Sequence, residues 1–156
     1  MSRRRARKQA FLALYQGDVT GKPMEAVLER WRSHRGDFEE YALDLVLGVE
    51  REREHLDEVL GGVSEGWPVH RMSAVDRTIL RIGLYEMAHV EDVPPEVAVN
   101  EASELATGFS SEESPAFVTG VLRGARDRVV GEGSPVGRAV ENGRVGGRSR
   151  EEGEGG

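Results

Sequence analysis

Five cations crowd the first eight residues of the chain: Arg3, Arg4, Arg5, Arg7 and Lys8. On a helix Arg3 and Arg7 fall one turn apart, as do Arg4 and Lys8, so these side chains repel one another. They also oppose the positive end of the helix dipole, which prefers anions. A polyanion relieves both costs, because helix N-termini and guanidinium forks each suit phosphate oxygens. Tyr15 lies three turns along the same helix. It is either a ring for a base of single-stranded RNA to stack upon or a plain core side chain. The cluster has two rival readings as well: a solvated terminus, or a patch that meets acidic protein, since basic runs alone are weak motifs.

The charge distribution sharpens the question. The chain carries 21 basic and 28 acidic residues, a net −7. Without the five leading cations, 16 basic residues face the same 28 acids, a balance of −12. A positive end on an acidic body is an asymmetry that calls for a partner.

Other chemistry finds little support. There are no cysteines, which excludes disulfides, thiolate metal sites and cysteine nucleophiles and suits a reducing, cytoplasmic setting. Glu52-x-x-His55 and Glu86-x-x-His89 have the spacing of di-iron helical bundles, but the two further core glutamates such a site needs are missing. No nucleophile elbow is present, so neither catalysis nor a cofactor is expected. No apolar run approaches the ~20 residues of a membrane helix. A transit peptide is the rival reading for residues 1–17, which are basic, amphipathic and free of acids.

The elements that must position these residues read as helices. Ala6, Ala10, Phe11, Leu14 and Tyr15 recur at helical spacing from residue 3 to about 17, where Gly17 and Gly21 end the run. A second stripe follows Pro23 and closes at Gly36. A third runs from about Asp37 to Leu60, with Glu50 to His55 as a solvated turn and Gly61-Gly62 as its stop. Ser73 with Asp76 forms a capping box for a helix that is apolar around most of its surface, so neighbours must bury it. Gly83 within it predicts close helix–helix approach. Pro94-Pro95 primes a helix through about Ala106, and Ser114-Pro115 opens the last one. Residues 131–156 hold nine glycines and no aromatic residue, and read as a disordered tail. The expected fold is all-α: one domain of six to seven helices over residues 1–130, followed by the tail.

Four segments together resemble the NusB family: RRRARKQAFLALYQ (3–16), RMSAVDRTILRIGLYEM (71–87), DVPPEVAVNEASELA (92–106) and SPAFVTGVLRG (114–124). The resemblance implies two small helical bundles packed across each other. It implies binding of boxA-type RNA together with NusE, a small-subunit ribosomal protein. It also implies loading onto RNA polymerase with other Nus factors, which suppresses premature termination during ribosomal RNA synthesis. Arg3, Arg4, Arg5, Arg7 and Lys8 match the family's basic RNA-binding motif, and Tyr15 matches the tyrosine of its A-L-Y block.

In the last block Thr119 stands for the usual asparagine and Arg123 for an acid, so Arg123 adds attraction if RNA runs nearby and alters the contact if a protein partner does. A second branch of the family forms the start of RNA cytosine methyltransferases, whereas no Gly-rich cofactor loop occurs here. Glu86, Glu101 and Glu104 are expected as exposed acids facing the ribosomal partner. On this reading, Arg4→Ala with Arg7→Ala weakens RNA binding and leaves melting almost unchanged.

Overall fold

Ser2 opens the first helix, its hydroxyl accepting from the Arg5 backbone N–H at 3.2 Å. The computed structural model describes residues 2–131, with side chains as far as Arg128. The tail reading lies outside those residues. Six α-helices and one short 3₁₀ turn account for the described chain, and no strand occurs within it.

Helix α1 spans Arg3–Thr20 and closes on Gly21, whose φ of 71° allows the left-handed cap and whose N–H reaches the Gly17 carbonyl. Gly17 does not end the helix as predicted. It lies inside, where a Cβ would come within 2.8 Å of the Met24 terminal methyl, so its smallness serves packing. Helix α2, Met24–Arg35, starts after Pro23 and ends at Gly36. Helix α3 runs unbroken over Glu40–Val63. The stretch Glu50 to His55 is helical rather than a turn. Its charged residues are good helix formers that face water, while Val49, Leu56 and Leu60 keep the buried stripe in phase. Gly61 and Gly62 are also helical. A Cβ at Gly62 would collide with the Arg128 guanidinium from the last helix, so this glycine too makes room for a neighbour. The real stop comes at Ser64, followed by positive φ at Glu65 and Gly66.

After the 3₁₀ turn Val69–Arg71 comes α4, Ala74–His89. Ser73 caps it as predicted, accepting from the Asp76 N–H at 3.0 Å. The Asp76 carboxylate turns elsewhere. It accepts from Ser110 Oγ at 2.7 Å and Ser114 Oγ at 3.1 Å, tying the start of α4 to the junction between α5 (Pro95–Phe109) and α6 (Ser114–Gly131).

The first three helices form one small bundle and the last three another, and α4 packs against both. Ile79, Leu80, Ile82 and Leu84 of α4 are fully buried. Arg77 reaches Asp18 at the end of α1, and Arg81 reaches Asp57 on α3, each through two hydrogen bonds between 2.6 and 3.0 Å. These pairs join the bundles at one end. At Gly83 a Cβ would meet Leu122 at 2.7 Å and the Ala102 methyl at 3.2 Å, so α4, α5 and α6 converge there. Gly83→Val is expected to destabilise the fold by ~1–3 kcal/mol through overpacking. Denaturant unfolding checks this, and an unchanged midpoint refutes the close approach. No helix among the described residues is long and apolar enough to cross a membrane.

Candidate nucleic-acid interface

The first two turns of α1 carry the five cations, and burial divides them into two kinds. The Arg4 and Arg5 side chains are 60% and 70% exposed, whereas that of Arg7 is 6% exposed. Arg3 and Lys8 also face solvent.

Each arginine has a carboxylate of its own. Arg3 binds Asp92 through both terminal nitrogens at 3.1 and 3.3 Å, with its guanidinium carbon 4.3 Å from the centre of the Tyr41 ring. Arg4 binds Glu101 through Nε and one terminal nitrogen at 3.1 and 2.8 Å. Arg5 Nε lies 3.2 Å from Glu39. The hydrogen bonds hold the Asp92 and Glu101 carboxyls below their usual range and raise the Arg3 and Arg4 guanidiniums above theirs. Lys8 alone of the five has no carboxylate in ion-pair range among the described residues.

Arg7 differs in kind. Its Nε donates to both oxygens of Glu86 at 3.0 and 2.8 Å, and a terminal nitrogen lies 3.5 Å from Glu101. Glu86 is 1% exposed and also accepts a short hydrogen bond from the Tyr41 hydroxyl. Burial, reinforced by the Glu86 charge, pushes the Tyr41 pKa well above its ordinary value, so the phenol stays protonated and donates. Two expectations are thereby corrected. Glu86 is no exposed acid, because it is the buried counter-ion of α1. Arg7 is no surface cation, because its guanidinium is enclosed against that acid.

The remaining residues are placed as follows. Tyr15 is half-buried, its ring 5.8 Å from that of Phe11 and inclined by 17°. It borders a groove between α1 and α2 with Trp31, His34 and Arg35, so it is neither a fully enclosed core residue nor a free platform. Glu101 is largely covered by Arg4 and Arg7, while Glu104, one turn on, is exposed. Arg123 sits on α6 at 3.4 Å from Glu96, a carboxylate that Arg126 also binds. Among the described residues no three acids or histidines converge to hold a metal ion, and Glu86 is taken by Arg7 and Tyr41.

Sequence reasoning missed Tyr41, Asp92 and Glu39 as partners of the basic turn. They lie 31 or more positions away along the chain. One signal was present: Arg7, Phe11 and Leu14 follow the i, i+4, i+7 spacing of a buried stripe.

The NusB family model matches residues 4–127. The transcription antitermination protein NusB of Rubrobacter xylanophilus is 70% identical over 138 residues, covering 86% of this chain and 99% of that protein. Among solved structures, NusB of T. maritima superposes with a TM-score of 0.73 at 30% identity, covering 81% of this chain and 92% of that one. A structure of the antitermination factors NusB and NusE in complex with double-stranded RNA matches with a TM-score of 0.72 at 26% identity, covering 82% and 99% of the two chains. The six helices, the basic first turn and a match across nearly the whole described length agree: the chain belongs to the NusB family.

Proposed function

We propose that the chain is an RNA-binding transcription antitermination factor. It binds boxA-type single-stranded RNA together with NusE and suppresses premature termination during ribosomal RNA synthesis. It acts in the cytoplasm, within an RNA polymerase elongation complex that includes other Nus factors. Its part is to bind and position, as befits a relative of antitermination factors rather than enzymes.

The observation that carries this reading is the set of exposed cations Arg3, Arg4, Arg5 and Lys8 on the first two turns of α1. Their carboxylate partners do not exhaust them. Arg4 spends Nε and one terminal nitrogen on Glu101 and keeps the other terminal nitrogen for a phosphate. Tyr15 offers a partly open ring for an unpaired base, a contact that duplex RNA does not supply. Arg123 is an outlying contact that must first loosen from Glu96. The acidic body suits a basic ribosomal partner. Glu101 is spent on Arg4 and Arg7 and Glu86 is buried, so neither offers that partner an open acid.

The test is RNA binding by fluorescence anisotropy with a boxA-like strand, a shuffled strand and a duplex, each with and without NusE. The boxA-like strand with NusE is expected to bind tightest. Equal binding of all three probes in the presence of NusE overturns the boxA reading. Salt dependence gives a second check. Four exposed cations at ~0.7 counterions each set a log–log slope of about −2.8 at most. We expect a slope between about −2 and −2.8, because three of the four charges are already partly neutralised by carboxylates. A slope near zero removes the electrostatic basis.

A further inference from the structure

A cavity of about 360 Å³ opens between α1 and α5, directly beside the basic turn. It falls within the ~300–1,000 Å³ range of small-molecule sites and is large enough for one nucleobase. Its wall is chemically mixed. Leu105 and the Phe109 ring supply apolar surface, and Phe109 is 39% exposed although it packs on Phe11 with centroids 4.7 Å apart. Arg4 and Lys8 stand on the α1 side. Glu104 lines the α5 side, and its carboxylate accepts no hydrogen bond from any described residue. At Gly108 a side chain would meet nothing within 4 Å, so the cavity is open there.

We infer that this cavity is a base-specificity pocket that takes one unpaired guanine of the bound RNA, read by the Glu104 carboxylate. The inference rests on the RNA reading above and deepens it. Each part of a nucleotide finds a counterpart. The base plane lies on Phe109 and Leu105, where aromatic stacking is sequence-tolerant. The adjoining phosphate meets Arg4 and Lys8. Selectivity comes from Glu104, because an ionised carboxylate only accepts hydrogen bonds. Guanine presents two neighbouring donors, N1–H and the N2 amine, which one carboxylate can accept side by side. Adenine and cytosine each place a ring-nitrogen acceptor next to their single amine. Uracil flanks its one N–H with two carbonyls. All three would turn lone pairs toward the carboxylate. A basic protein side chain would suit Glu104 and Phe109 but would be repelled by Arg4 and Lys8, so the nucleotide is the better occupant.

The experiment uses the full chain with NusE and three short probes: an oligouridine strand, the same strand with one central guanosine, and the same with inosine there, which lacks the N2 amine. The wild type is expected to prefer guanosine over uridine by between about 5- and 100-fold, the usual worth of a bidentate base contact, with inosine intermediate. Glu104→Gln, at an exposed position that carries no packing, is expected to bring that preference below about threefold by lowering the guanosine affinity, with the oligouridine affinity no weaker than in the wild type. Equal wild-type affinity for the guanosine and uridine strands overturns the pocket while leaving the RNA reading intact. A preference that survives in Glu104→Gln also overturns it. So does weaker NusE binding by Glu104→Gln in the absence of RNA with the preference kept, which would assign the acid to the protein partner. Failure of every strand to bind at low salt overturns the RNA reading and the pocket together.

Discussion

Arg7→Ala is expected to cost about 3–5 kcal/mol of folding stability, the penalty for stripping one partner from a buried ion pair. Its carboxylate partner Glu86 is 1% exposed, so water cannot replace the lost guanidinium. Glu101 would lose its second cation, and the Tyr41 hydroxyl would donate to a carboxylate with no counter-charge. This outcome reverses the expectation that the Arg4→Ala, Arg7→Ala pair leaves melting unchanged. Arg7→Met combined with Glu86→Met should recover much of the loss, because it leaves no unpaired charge and only the half-buried Tyr41 hydroxyl without its acceptor. Urea unfolding of the three variants decides the matter. A cost below about 1 kcal/mol for Arg7→Ala would mean that the pair is effectively solvated.

Removal of the surface cations should have the opposite profile. Arg3→Gln, Arg4→Gln and Lys8→Gln together are expected to weaken RNA binding about 100-fold at 0.1 M salt, since each lost phosphate contact forfeits ~0.7 of a released counterion. The salt slope should flatten by about 2 in the same variant. Folding should be little affected, because the Arg3–Asp92 pair is exposed, Glu101 keeps Arg7 when Arg4 is neutralised, and Lys8 has no ion pair among the described residues. Arg5 is left in place deliberately: its partner Glu39 is buried, and neutralising Arg5 would mix a folding defect into the binding measurement. A triple variant that binds RNA as well as the wild type would end the assignment of this turn to phosphate. Equal losses in stability and affinity would mean that the turn is structural throughout.

These two results separate what the sequence makes legible from what it hides. Helical spacing finds each α-helix among the described residues, the Ser73 cap and the buried character of α4, because those features depend on residues within a few positions of one another. It also anticipates the close approach at Gly83, since a glycine inside a strongly apolar helix has few other uses. It misplaces helix ends where a glycine serves a distant neighbour. Gly17 makes way for Met24 and Gly62 for Arg128, and neither requirement is visible locally. The same limit governs the candidate site. Crowded arginines predict a need for anions, but periodicity cannot say whether those anions come from RNA or from the chain's own α3, α4 and α5. Asp92, Glu101, Glu39 and Glu86 become neighbours of α1 only once the two bundles pack. Glu86 was misread as exposed because it is charged, although Ile79, Ile82 and Glu86 share one face of a helix that is apolar nearly all round.

The clasp between Arg7 and Glu86 has a bearing on how the outer arginines meet a ligand. The end of a helix ordinarily frays, and side chains carried there must be frozen before they can grip anything. Here the second turn is pinned to the centre of the molecule, and Arg3, Arg4 and Arg5 are each already docked against another element. An incoming strand therefore meets a preset comb of charges, and little of the attraction is consumed in stiffening a loose terminus.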